Sequence, residues 1–224
     1  MFIILISGAV FLWAGDTASF VDLGFSPDGK IYAFAQYGVQ SGDLRPWAEL
    51  CIVDVPANNF VSGGRISYIH DKPINAGQDG SGALYRLLTA NAALLGRYGV
   101  NYLDSGLPLF ISLEEPGSPP AHSIEYRDFE AGASYRATIV STLEGTGARL
   151  TSSFIINLDR TGRDGSKKSY RVGTPTVKRP LIVSYRIRKA IIAPHDGSMI
   201  LVIEMQKQNG ADFDIRFMVE AVRL

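Results

Sequence analysis

The chain has 224 residues, 46% of them hydrophobic and 20% charged, which is enough length and apolar content for one core or two small ones and excludes a disordered chain. Lysine plus arginine balance aspartate plus glutamate at 22 each, so no net field draws nucleic acid or an anionic membrane surface. Cys51 is the only cysteine, which excludes an intramolecular disulfide and a lipid anchor after the N-terminal apolar run. Its setting in Leu50-Cys-Ile-Val53 predicts a small buried hydrophobe.

Residues 2–13 are uncharged and apolar, and after Ala14 the chain turns abruptly small and polar. This pattern predicts a signal peptide over residues 1–14, because the run falls short of the roughly 20 apolar residues that a bilayer requires. Leu12 stands where a small residue usually precedes the cut, and no Lys or Arg leads the run, so the reading expects a basic residue encoded upstream. The competing reading is a buried N-terminal strand, for which residues 2–6 are suitable.

Residues 15–224 read as a single β-rich domain with an internal boundary near 113–121. Strands are predicted over 20–25 and 30–37, joined by the turn Ser26-Pro-Asp-Gly29, in which proline presets φ and glycine accepts a positive φ. A polar loop over 38–46 leads to a third strand over 48–55, which Pro56 stops, and Asn58-Asn59 turns the chain before Phe60. Leu84, Leu87, Leu88, Leu94, Leu95 and Tyr98 lie at helical spacing and predict one central α-helix over 82–98, with Asp79 or Ser81 at its start and Gly99 at its end. Pro108, Pro116, Pro119 and Pro120 punctuate an extended segment that holds a short strand over 109–112. Strict alternation then predicts an antiparallel hairpin, with Tyr135, Ala137, Ile139, Ser141 and Leu143 facing Leu150, Ser152, Phe154, Ile156 and Leu158.

Near the C-terminus an apolar strand at 190–193, the turn Pro194-His-Asp-Gly197, a strand over 198–204, a polar loop and a strand over 214–222 repeat the order of the first unit. The two units resemble single blades of TolB-like or WD40-like β-propellers, and two hairpins in an ordinary β-sandwich are the alternative. The predicted fold is therefore mainly β: antiparallel sheets with propeller-blade-like units at the N- and C-terminal ends and one central helix. Gly15-Asp-Thr-Ala-Ser-Phe20, Leu23-Gly-Phe-Ser-Pro-Asp-Gly-Lys30, Phe34-Ala-Gln-Tyr-Gly38 and Asp214-Ile-Arg-Phe-Met-Val-Glu220 together resemble an uncharacterised, spirochaete-type family of predicted secreted proteins classed as a domain of unknown function. The resemblance implies export and a β-rich fold. It implies no activity and no catalytic residue.

No Gly-x-Ser-x-Gly elbow, Walker loop, His-Glu-x-x-His or paired-cysteine motif occurs, so no catalytic residue, cofactor or metal ligand is assigned. His70, His122 and His195 lie far apart, and the loops 75–80 and 159–165 lack oxygen ligands at calcium-binding positions. Glu114, Glu115, Glu125, Asp128 and Glu130 could supply a glycosidase pair, although scattered loop acids are mostly solvated. The loop after strand two is the better binding candidate, with Tyr37, Arg45 and Trp47 as the residue types that carry interface energy. The same residues also suit a core strand end and a plug at a sheet edge. Arg163, Lys167, Lys168, Arg171, Lys178, Arg179, Arg186, Arg188 and Lys189 form a basic run that could meet an anionic polymer or lipid headgroup, or line the wet face of a strand.

The sequence thus predicts a periplasmic or secreted protein, not membrane-spanning after signal removal. It reads as a non-enzymatic binding or scaffold module with an envelope protein or glycan, not nucleic acid, as its partner. A secreted hydrolase acting on a glycan is the alternative.

Overall fold

The computed structural model describes residues 15–75 and 77–224, so the segment read as a signal peptide lies outside the described residues. The first sheet is the meander β1 (Ser19–Phe25), β2 (Ile31–Val39), β3 (Pro46–Asp54) and β4 (Asn59–Ile69), antiparallel throughout. The predicted turn joins β1 to β2. Ser26 Oγ accepts the Ile31 amide and donates to Asp28, and Gly29 takes φ +71°. Gly24 sits at a bulge with φ +92°, and a β-carbon there would lie 2.0 Å from the Asn101 carbonyl oxygen, so the approach of the 101–104 turn requires glycine. β3 is buried along nearly its whole length because both faces of this sheet are covered.

One cover is helical. α1 (Ser81–Ala90) and α2 (Ala92–Arg97) place Ala83, Leu84, Leu87 and Leu95 against Leu23, Ala33, Ala35, Leu50 and Ile52. The single predicted helix is interrupted at Asn91. Its amide is shared between the Leu87 and Leu88 carbonyls, its side chain donates to Leu87 as well, and the backbone leaves helical geometry at φ −114°. The apolar spacing survives this break because both short helices lie on the same sheet, and so the periodicity conceals it.

On its other face the first sheet meets a central sheet of order β13-β12-β11-β5, formed by β5 (Leu107–Ile111), β11 (Ile182–Ile192), β12 (Met199–Asn209) and β13 (Asp212–Val222). A third sheet packs behind that one. It contains β6 (Ser123–Asp128), β7 (Ala133–Glu144), β8 (Thr151–Thr161), β9 (Lys167–Val172) and the short β10 (Arg179–Pro180). The β7–β8 register pairs Ala137 with Leu158, Ile139 with Ile156 and Ser141 with Phe154, as the alternation predicts. Successive residues of β12 serve both interfaces. Ile200 and Val202 join the core shared with the first sheet, and Met199, Leu201 and Ile203 join the core shared with the third.

Residues 205–213, read as a polar loop, are instead paired strand on either side of a tight turn at Gly210. Backbone pairing carries the polar residues of this ladder, with Met205 still packed on the core shared with the third sheet. The two predicted units are both three-stranded antiparallel meanders, β1–β3 and β11–β13, and their turns touch: a β-carbon on Gly29 would lie 2.2 Å from the Pro194 carbonyl oxygen. The architecture is mainly β, in separate antiparallel sheets with one helical layer.

Candidate functional site

The first described residues begin a site at one end of the interface between the first and central sheets. The segment 16–18 lies parallel to β13: Thr17 bridges Ile215, the Asp16 carbonyl accepts the Ile215 amide at 2.8 Å, and the Ala18 amide donates to Ile215 at 3.2 Å. This pairing drives the Asp16 side chain beneath the 40–45 loop, where it is 4% exposed. Its Oδ2 accepts the Trp47 indole N–H at 2.5 Å and the Arg216 guanidinium at 2.7 Å. Arg216 also stands over the Trp47 ring, 4.3 Å from the centroid, and 3.6 Å from Asp214. Asp214 in turn accepts the Asp16 amide and the Asn209 side chain.

These groups border a cleft of about 320 Å³, lined by Asp16, Asp214, Arg216 and Asn209 on one side and by Gln40, Asp43 and Arg45 on the other. Burial pushes the Asp16 carboxyl above the ordinary carboxylate range, against the opposing pull of Arg216 and Trp47. Asp16 Oδ1 and Gln40 Oε1 are buried acceptors without a hydrogen-bond partner among the described residues. Gly38 lets the strand pass this close, since a β-carbon there would come within 2.6 Å of Asp16 Oδ1. On the opposite side of the same strand, a β-carbon on Gly80 would lie 2.3 Å from the Gly38 carbonyl oxygen, so the start of α1 presses on the back of the cleft wall.

The three residues singled out in the sequence are placed differently. Arg45 is on the cleft rim, bound to Asp43 at 2.5 Å. Trp47 is 8% exposed and forms the floor beneath Asp16 and Arg216. Tyr37 points the other way, because it pairs with Ala48 whereas Gly38 pairs with Trp47, and it packs with the helix-facing core. Asp16, Asp214, Arg216 and Gln40 were not singled out in the sequence. The acidic and basic residues of the C-terminal strand were visible there, but nothing local joined them to a partner 198 residues away.

Three of the loop acids considered as a glycosidase pair are held by neighbouring groups. Glu114 pairs with Arg186 at 2.8 Å, Glu125 pairs with Arg136 at 2.6 Å, and Asp128 accepts the amides of Glu130 and Ala131 in the β6–β7 turn. The loops at 75–80 and 159–165 close on themselves, through Asn75 to Gln78 and through Ser166 to Asp164. Among the described residues no group of three or more histidine, cysteine or acidic side chains is placed to hold a metal ion. The basic run divides in two. Arg186 is buried against Glu204, Arg188 reaches the Glu114 carbonyl, Lys189 pairs with Asp22, Lys178 with Glu144 and Arg179 with Glu220, which leaves Lys167, Lys168 and Arg171 on the third sheet and Arg163 in the turn before β9.

Residues 33–223 match a family described as predicted secreted protein (DUF2259). The chain belongs to this family. The match runs from within β2 past the end of β13, so it takes in both helices, the central and third sheets and the first sheet apart from β1, and it does not reach Asp16. The family description supports a location outside the cytoplasm and assigns no activity. No curated protein and no solved structure matches the chain. No helix among the described residues is long and apolar enough to cross a membrane.

Proposed function

We propose that this member of the family is a non-enzymatic binding module of the cell envelope, periplasmic or released, whose recognition site is the cleft under the 40–45 loop and whose partner is an envelope protein or a glycan. The observation that carries this reading is the pair of unsatisfied buried acceptors, Asp16 Oδ1 and Gln40 Oε1, bordering one cleft. A buried acceptor without a donor costs roughly 1–3 kcal/mol, and a ligand that brings hydroxyl or amine hydrogens removes that cost. Arg45 on the rim supplies the planar cation that interfaces favour. Trp47 and Tyr37 act from behind, Trp47 by fixing Asp16 and Tyr37 by seating its strand on the helical layer. In this reading the sheets are blade-like units that present their inter-strand loops for recognition, as stacked repeats do.

The second reading, a secreted glycan hydrolase, draws on Asp16 and Asp214 in the same cleft, with burial raising the Asp16 carboxyl toward the range of a general acid. Affinity capture from envelope fractions separates the two. The wild-type protein is expected to retain a partner that Arg45→Ala loses by at least tenfold with its thermal midpoint unchanged. Turnover on a glycan panel that Asp16→Asn abolishes, with no partner retained, would overturn the binding reading.

A further inference from the structure

The helices cover one side of the first sheet and the other inter-sheet spaces are filled, but among the described residues no layer lies over the outer face of the third sheet. The register places Arg127, Ser134, Thr161 and Lys167 in one row across β6, β7, β8 and β9, with Thr138, Asn157 and Arg171 in a parallel row. Neighbouring strands lie about 4.8 Å apart, so Arg127 and Lys167 are about 14 Å from each other across the row. The face around them is hollowed into a depression of about 610 Å³.

Its charges are not balanced against one another. Glu125 is taken by Arg136, and Asp159 accepts the Ser169 hydroxyl at 2.6 Å. Arg127, Lys167 and Arg171 are exposed and have no side-chain hydrogen bond or ion pair among the described residues. Of the acids of the face, Glu125 is paired with Arg136 and Asp159 keeps its charge under a neutral hydroxyl, against three free cations with hydroxyl and amide groups between them. Tyr126 and Tyr135, the aromatics of the same strands, turn into the core. The face offers a base nothing to stack on, which counts against single-stranded nucleic acid. Hydroxyls, an amide and spaced free cations complement a chain of hydroxylated rings with spaced carboxylates.

From this charge complementarity we infer that the uncovered face of the third sheet binds an acidic polysaccharide lying across its strands. The inference is independent of the cleft, so either can fail without the other. The test is affinity electrophoresis of the full chain in gels containing polygalacturonate, neutral dextran or single-stranded DNA. Polygalacturonate is expected to retard the wild-type protein, with retardation falling as salt rises. The Arg127→Ala/Lys167→Ala double variant should bind at least tenfold more weakly, while Arg86→Ala, which removes an exposed cation on α1 away from both sites, binds as the wild type does. Both substituted side chains are exposed, so an unchanged thermal midpoint is expected and checks that the fold is intact. Equal retardation of the wild type and the double variant overturns the inference. So does tighter binding of dextran or of DNA than of polygalacturonate.

Discussion

At the scale of single residues, Trp47 shows how one side chain serves packing and the site together. Its ring lies under Arg216 and its N–H is spent on Asp16. Trp47→Phe keeps an aromatic ring there and removes the donor, so it is expected to cost about 1–3 kcal/mol in urea denaturation followed by circular dichroism. Glu220 gives a test by pH. Burial raises its carboxyl above the ordinary value, against a hydrogen bond from Asn58 and the nearby Arg179. With the folded value above the unfolded one, the ionised form opposes folding at neutral pH, and that penalty fades as pH falls through the raised value. Glu220→Gln, which still accepts from Asn58, should be more stable than the wild type near pH 7 and converge on it by about pH 4. A variant that is less stable at neutral pH sinks the argument. The burial of Cys51 was legible from its apolar neighbours, and it is 1% exposed with its thiol pushed far up by desolvation. The role of Asp16 was not legible, because an aspartate in a small polar segment gives no sign of the strand that later covers it.

At the scale of elements, β11 shows where a local pattern misleads. Charges alternating along 185–189 suit a wet strand face, yet Arg186 is 3% exposed. The segment that follows β5 folds back over it, so that Arg186 meets Glu204 on β12 at 3.0 Å, Glu114 at 2.8 Å and the Glu115 carbonyl. Glu204 also accepts the Gly117 amide. The proline-rich stretch read as a boundary is thus pinned to the central sheet through its backbone before the chain enters β6. Removing one partner leaves a buried charge, so Arg186→Met is expected to cost about 3–5 kcal/mol. Replacing both, Arg186→Met with Glu204→Leu, should recover most of that loss in a denaturation double-mutant cycle. Full additivity of the two substitutions would show that the pair does not act as a unit. The hairpins β1–β2 and β7–β8 were legible because turn chemistry and two-residue alternation act over a few neighbours. The continuation of β12 and β13 was hidden, since most of its residues are polar and backbone pairing does not require apolar ones.

At the scale of the whole molecule, the central sheet is a wall shared by two cores. Sequence alternation says that a strand face is buried but not against what, so the layer order had to come from the structure. The apolar run at 199–203, read only as a strand, supplies side chains to both cores. Ile200→Ala opens the core shared with the first sheet and Leu201→Ala the core shared with the third, each at about 2–5 kcal/mol. Both should move one cooperative transition, followed by circular dichroism and by exposure of Cys51 to a thiol reagent. Two separated transitions in Leu201→Ala would show that the sheets unfold independently. The parallel strip at 16–18 adds a constraint of time. A chain delivered amino end first, from a ribosome or through a membrane pore, presents Asp16 long before residues 214–216 arrive to receive it. Until the last strand emerges, Asp16, Trp47 and the 40–45 loop lack their counterpart. The cleft can therefore be completed only once the last strand is available to pair with residues 16–18.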